Sequence, residues 1–304
     1  MKVGWSERQP TFWFDTKGAL SVNPRKLKQL KKSFRHQPLA QQKTAYIDRM
    51  TAYYQEFTEY PAIKLLISNV LLADKMLAAG DLPQQLPLLQ LPDNSEDLIY
   101  QNLNQKFPKG DPVGDKLWDK LIAALPHLDH DLRYFRDYLE EHYGMWAYTP
   151  RPFISDLADF VGDRAVLEVM AGNGYISKGL RDAHKTVYAT DSQTWTSENE
   201  TGRHPLTAIE PLSALDAFHK YQDQVGVVVM SWSPDGLPLD WELLQAIRQA
   251  NAQVDFVVIG EPHGATGSAA FWDNAEFIEN ADTRHLNRHY TAIDLIKDHV
   301  FLVK

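Results

Sequence analysis

The stretch Val166-Leu167-Glu168-Val169-Met170-Ala171-Gly172-Asn173-Gly174-Tyr175 constrains the fold more than any other part of the chain. An apolar run that takes in an acid breaks into a turn with two glycines. From Tyr175 to Ala183 the apolar residues Ile176, Leu180 and Ala183 then recur at helical spacing. The pattern predicts strand, turn, helix. Gly172 and Gly174 lack a Cβ, so the backbone there can bend sharply and approach a ligand closely. Glu168 falls at the carboxyl end of the strand, where open α/β sheets bind ligands. An acid at that place repels a pyrophosphate and suits a cationic amino group. About twenty residues on, Thr186-Val187-Tyr188-Ala189-Thr190 reads as a second strand ending on Asp191, placed to accept from both hydroxyls of a ribose.

The remainder of this half alternates strands with helices. Leu206 to Ile209 reads as a third strand ending at Glu210, Leu212 to Tyr221 as a helix, and Val225 to Met230 as a buried central strand. Trp241 to Ala250 reads as a helix, Asp255 to Gly260 as a strand and Phe271 to Asn280 as a helix, with a closing antiparallel hairpin over His289 to Lys304. Two loops carry chemistry: Ser231-Trp232-Ser233-Pro234-Asp235-Gly236, and Glu261 to Ser268. Ser231, Asp235, Glu261 and His263 are the catalytic candidates, and His263 has the natural pKa for a proton acceptor near neutrality. The plainer reading of Asp235 and His263 is a capping or solvent-facing role.

The first 145 residues or so read as mainly helical. Residues 1 to about 20 show no sustained period and suggest an arm that packs onto something. Asn23 to His36 carries Arg25, Lys26, Lys28, Lys31, Lys32 and Arg35 with no acid among them. That run suits phosphates, with Phe34 to stack on a base, or else a solvated helix face with Leu27, Leu30 and Phe34 turned inward. Helices follow over Leu39 to Tyr60, Ala62 to Ala79, Leu98 to Phe107, Gly114 to Leu128 and Asp129 to Tyr143. The leucine- and proline-rich Asp81 to Pro92 is a linker or extended strap. Tyr134, Phe135 and Tyr138 are a core stripe. His127 and His130 lack the spacing that puts two metal ligands on one helix face, so no metal site is expected. Two prolines and a glycine force an extended path through Tyr143 to Pro152, where Trp146 and Tyr148 either cover a ligand or pack a hinge.

Composition excludes several classes. The chain has no cysteine, which rules out disulfides, thiolate nucleophiles and cysteine-ligated zinc, and leans toward the cytoplasm. No apolar run approaches transmembrane length. The formal charge of −9 gives no general attraction to nucleic acid or an anionic membrane. An apolar fraction of 44% over 304 residues supports a substantial core and two domains, 1–145 and 146–304.

Glu168-x-Met170-x-Gly172-x-Gly174 resembles motif I of the class I S-adenosylmethionine (SAM) methyltransferases, an acid followed by three alternating glycines, with Met170 in place of the first. The lead-in Trp146-Ala147-Tyr148, the Gly172-Asn173-Gly174-Tyr175 turn and Ser231-Trp232-Ser233-Pro234 are similar to a group of bacterial and fungal methyltransferase-like proteins of uncharacterised activity. The resemblance covers roughly the C-terminal half. It implies a Rossmann-like, doubly wound α/β sheet with a terminal antiparallel pair of strands, behind a helical N-terminal domain. It also implies SAM as cofactor, held by Glu168, Met170, Ala171, Gly172, Asn173, Gly174 and Tyr175, with Asp191 as the ribose acid. Glu210 then faces the adenine, Ser231 and Trp232 face the transferring methyl group, and Trp146 or Tyr148 covers the cofactor. The single proline and Asp235 set Ser231 to Asp235 apart from the Asn/Asp/Ser-Pro-Pro-aromatic motif of amino-directed members. The expected acceptor is a small molecule or a protein side chain. RNA bound through Arg25 to Arg35 and a non-catalytic SAM-binding protein are the alternatives. A nicotinamide-dependent oxidoreductase is the rival outside this class, since Gly172-x-Gly174-x-x-Ser177 is near the dinucleotide fingerprint.

Overall fold

Branched apolar runs that can be buried on both faces form the middle of a seven-stranded sheet: β1 (Val166–Val169), β4 (Val227–Ser231) and β5 (Asp255–Gly260). The computed structural model describes residues 39–194, 203–250 and 253–304. β2 (Val187–Asp191) and β3 (Glu210–Pro211) extend the sheet beyond β1, while β7 (His299–Val303) and β6 (Phe277–Ile278) extend it beyond β5. The order is β3-β2-β1-β4-β5-β7-β6. The first five strands pair in parallel, and β7 runs antiparallel to both β5 and β6. Val169 lies opposite Met230, so β1 and β4 end level with each other. The strand order reverses between these two, and a crevice opens at their carboxyl ends.

Alternation along each strand supplies two cores. On one face Leu167, Val169, Val228, Met230, Phe256 and Val258 pack against α8 (Ala214–Tyr221), α9 (Leu239–Gln249) and α10 (Ala269–Asn274). On the other, Val166, Val227, Val229, Val257 and Ile259 meet α6 (Arg151–Val161), α7 (Tyr175–Asp182) and α11 (Ala281–Leu286). This second core continues without a break into the N-terminal helices α1 (Leu39–Glu56), α2 (Pro61–Ala78), α3 (Ser95–Lys106), α4 (Pro112–Arg133) and α5 (Phe135–Tyr143). Phe135 and Tyr138 of the aromatic stripe are fully buried in it.

Four expectations are corrected. Two helices do cover Gly114 to Tyr143, but they do not meet at Asp129: α4 runs on through Pro126 and Asp129 to Arg133, and α5 begins only at Phe135. The buried stripe Leu121, Leu125, Leu128 and Leu132 keeps the helix going past the one missing N–H, and the break comes at Tyr134. His127 and His130 therefore lie inside a helix; among the described residues no three metal-ligating side chains converge. The third strand is two residues, Glu210–Pro211, because the preceding segment runs beneath the glycine turn, where Leu206 N–H donates to the Asn173 carbonyl. The helix after β5 stops at Asn274, and Phe277–Ile278 becomes β6. The terminal antiparallel pair is consequently β6 and β7, not a hairpin within His289 to Lys304, since the Ile293 carbonyl is taken by Leu89 N–H instead.

Asp81 to Pro92 is the expected strap, without helix or strand and with Leu82, Leu86 and Leu89 buried. The N-terminal arm and the basic run Arg25 to Arg35 lie outside the described residues. Among the described residues no helix is long and apolar enough to cross a membrane.

The strap reaches the sheet layer because α7 offers a glycine. A Cβ on Gly179 would lie 2.6 Å from Leu82 Cδ1 and 2.8 Å from Ile154 Cγ2. Gly179→Ala gains ~1 kcal/mol of helix propensity but overpacks the joint between strap, α6 and α7. The expected net effect is a loss of about 1–3 kcal/mol, read as a lower urea midpoint at unchanged slope.

Candidate functional site at the β1–β4 switch point

One cavity opens at the carboxyl ends of β1 and β4, lined from three sides. The first side is the turn after β1: Glu168, Met170, Ala171, Gly172, Asn173, Tyr175 and Ile176. Met170, Gly172 and Gly174 all have positive φ, at 53°, 53° and 77°. A Cβ on Gly174 would stand 2.9 Å from Thr207 Cγ2, so this turn requires glycine for space as well as for conformation. Side chains and backbone fix the turn. Gly172 N–H donates to Asp191 Oδ2 at 2.8 Å, and Ala171 N–H donates to the Thr190 carbonyl at 3.0 Å. Asn173 Nδ2 and the Tyr175 hydroxyl both donate to the Tyr143 carbonyl, at 2.9 and 2.8 Å.

The second side is Ser231 and Trp232, at the end of β4. Trp232 also has a φ of 53°, and its N–H donates to the Ile259 carbonyl on β5. Its indole is held on two flanks. The Arg136 guanidinium lies 4.7 Å from the ring centroid, and Nε1 donates to Asp298 Oδ2 at 3.0 Å. The hydroxyls of Ser231 and Ser233 are buried without a hydrogen-bond partner. An unpaired buried hydroxyl at a cavity wall is a place for a ligand's polar group.

The third side is the lead-in Gly144, Met145, Trp146, Ala147 and Thr149. Arg136 Nη1 donates to the Trp146 carbonyl at 3.1 Å, so one guanidinium supports both tryptophan walls.

Other expected residues are placed elsewhere. Tyr148 does not line the cavity; it turns to the strap, its hydroxyl donates to the Gln84 carbonyl at 2.6 Å, and burial pushes that phenol up. Glu210 accepts from Lys220 and from the Tyr221 hydroxyl, which hold its carboxyl below the usual range and keep it on α8. Asp191 is bound into the edge of the turn and accepts from Gln193 N–H at 2.6 Å as well as from Gly172. Asp235, Glu261 and His263 do not line the cavity. The loops after β4 and β5 are zipped to each other by a Pro234–Thr266 bridge and by Gly267 N–H donating to the Ser233 carbonyl. Within that pair Glu261 accepts from Ala265 N–H and Lys297 N–H, while Asp235 and His263 are exposed.

Arg136, Asp298 and Tyr143 were not legible as site residues. Arg136 sits four residues after Leu132 and three before Leu139, on the buried side of its helix, and that spacing is its one sequence signal.

Glu168 is 2% exposed, and its Oε2 accepts from both the N–H and the hydroxyl of Ser177 at the start of α7. Burial pushes its carboxyl up to about 7; the Ser177 bonds and Arg181 oppose the shift without cancelling it, and Asp191 adds to it. A carboxyl raised in the folded state binds its proton more tightly there than in the unfolded chain. That stabilisation is full below about pH 4.5 and is lost as pH rises through about 7. Relative to Glu168→Gln, the wild type should lose stability on the order of 3 kcal/mol between pH 4.5 and 7.5, measured by denaturant titration at each pH. A constant difference across that range would contradict this account of Glu168.

No protein-family model and no curated protein sequence matches the chain. Among solved structures, the CcbJ methyltransferase from Streptomyces caelestis aligns at 18% identity over 44% of this chain and 60% of its own, with a TM-score of 0.26. The mitomycin 7-O-methyltransferase MmcR aligns at 11% identity over 71% and 74%, with a TM-score of 0.29. PigF, solved with SAH, aligns at 12% identity over 69% of both chains, with a TM-score of 0.30. The chain thus spans about 60% of CcbJ, and all three superpositions are too loose to transfer a residue or a substrate. The sheet speaks for itself: five parallel strands, a switch point between β1 and β4, and an antiparallel β7 inserted between β5 and β6 give this chain the Rossmann-like fold of the class I methyltransferases.

Proposed function

We propose that the chain is a SAM-dependent methyltransferase, with the cofactor over the Glu168 to Tyr175 turn and the acceptor entering against Trp146 and Trp232. One observation carries this reading. The lining of the cavity, among the described residues, holds the buried carboxyl of Glu168 and no cationic side chain. Such a site suits a ligand that brings positive charge, and it disfavours the pyrophosphate of a dinucleotide. The unpaired Ser231 hydroxyl and the glycine cradle fit the same ligand. When bound, SAM supplies a methyl group already activated by its sulfonium. The chain's own residues then have three tasks. Gly172 and Gly174 would let the backbone come close, Asp191, whose oxygens already accept from Gly172 and Gln193 at the edge of the turn, would accept from the ribose hydroxyls as well, and Ser231 with Trp232 would align the acceptor. The helical part would supply the far wall through Gly144 and Met145, with Arg136 behind it holding the Trp146 carbonyl, which suits a small molecule or a side chain.

Cofactor binding without turnover is a second reading, supported by the placement of Asp235, Glu261 and His263 outside the cavity. Methyl transfer from labelled SAM into a pool of small metabolites and peptides separates the two.

Calorimetric titration tests the cofactor itself. S-adenosylhomocysteine (SAH) should bind and NAD should not. Asp191→Ala should weaken SAH by roughly tenfold or more, the loss expected for hydrogen bonds to a charged acceptor. Preference for NAD, or no effect of Asp191→Ala, would overturn the assignment.

A further inference from the structure

Behind the tryptophan wall lies a buried group of charges that the proposed reaction does not use. Arg136 is 6% exposed and bonds both carboxylate oxygens of Asp294, with Asp298 Oδ1 at 3.6 Å from Nη2. Asp298 is 2% exposed, and its other oxygen accepts from Trp232 Nε1 at 3.0 Å and from the Tyr290 hydroxyl at 2.8 Å. The groups that reach Asp298 among the described residues, Trp232 Nε1, the Tyr290 hydroxyl and the Arg136 guanidinium, are all donors, so its oxygens serve as acceptors throughout. Two carboxylates against one guanidinium leave one formal negative charge. That charge stands one side-chain layer behind the cavity, in contact with Trp232 itself.

The ligands proposed for this cavity differ in charge at one atom. SAM carries a sulfonium, and the SAH left after transfer is a neutral thioether. We infer that Asp298, pressed against the indole of Trp232 and backed by Asp294, makes the site discriminate the positively charged cofactor from its neutral product. The field of a buried carboxylate is weakly screened, and it acts on the ligand's charge without touching the ligand. Removing it lowers the affinity for the cation and leaves the thioether nearly unaffected, whatever the net sign of the cluster. Arg136 is the positioning residue of this device. It holds both acids and fixes the two tryptophan walls, so it prevents two neighbouring carboxylates from repelling each other apart.

The inference rests on the methyltransferase reading, and a pair of unreactive probes keeps the two apart. Sinefungin places an ammonium group where SAM has its sulfonium, while SAH is neutral there. Both are titrated by calorimetry into the full chain and into three variants. Asp298→Asn keeps the shape and removes the charge; it should lower the preference for sinefungin over SAH by roughly 5- to 20-fold. Asp294→Asn, one layer further back, should lower it in the same direction by less, and decides the matter alone if Asp298→Asn does not fold. Tyr290→Phe disturbs the same buried cluster without changing its charge and should leave the ratio unchanged. A ratio within about twofold of wild type in both aspartate variants, with both probes still bound, overturns the inference and leaves the cofactor reading standing. So does a fall in Tyr290→Phe as large as that in Asp298→Asn. Failure of the wild type to bind either probe sinks the cofactor reading, and this inference with it.

Discussion

The carbonyl of Tyr143, stranded when α5 stops at the left-handed Gly144, is where the helical part of the chain takes hold of the glycine turn. The last carbonyls of a helix have no partner within it, and they carry the negative end of the helix dipole. Here two donors from the turn after β1 converge on one of them, Asn173 Nδ2 and the Tyr175 hydroxyl. Tyr143 is anchored from the other end as well. Its own hydroxyl bonds Asp74 of α2 and accepts from Lys43 of α1, and Asp74 also accepts from Tyr138. Three helices thereby fix the position of a loop in a different layer. Burial of Tyr143 raises its phenol and keeps it a neutral donor, so this anchor persists across ordinary pH.

With the turn held, the backbone strain around the cavity becomes intelligible. Met170 and Trp232 follow β1 and β4, are neither glycine nor asparagine, and share a φ of 53°. Left-handed backbone costs such residues on the order of 1–2 kcal/mol each. Both line the same cavity, one on either side of the switch point. Strain of this kind persists only where the surroundings over-determine the conformation. Trp232 meets that condition through Ile259, Asp298 and Arg136, and the turn around Met170 meets it through Asp191, Thr190 and Tyr143. The side chains therefore reach the cavity already oriented, which matters for a reaction whose main demand on the protein is alignment.

What was legible in the sequence follows the range of the interactions concerned. β5 begins and ends where its apolar run does, and β1, the glycine turn and Asp191 come out as one unit, because each is decided by neighbours along the chain. Trp146 was open between a ligand cover and a hinge, and Trp232 came from the resemblance; both line the cavity. The failures are decided across the fold. Nothing local tells that Leu206 will donate to Asn173, that β7 will pair with Phe277, or that Glu210 will turn toward Lys220. Arg136 meets Asp294 across 158 positions, and Trp232 meets Asp298 across 66. Polar residues on mainly polar helices and tails read as surface until their partners are in view.

Two acids beside the cavity, Glu168 and Asp298, show how differently a buried carboxyl can be accommodated. Asp298 is surrounded by a guanidinium, which it shares with Asp294, an indole N–H and a phenol, so its oxygens are hydrogen-bonded within the wall although the pair of acids keeps one formal negative charge. Among the described residues the Glu168 carboxyl is hydrogen-bonded by Ser177 alone, whose two bonds, even with the more distant Arg181, fall short of the burial cost and leave it raised to about 7. Burying a carboxylate is expensive unless it is paired, so a protein built for stability alone would have little use for an acid there. The missing partner is positive, and among the described residues the cavity that Glu168 lines offers none of its own. A cationic ligand entering between Glu168 and Trp232 would supply the compensation that Ser177 cannot, and would shift Glu168 toward its charged form as it binds. Ligand affinity and the ionisation of Glu168 are on this argument two readings of one interaction.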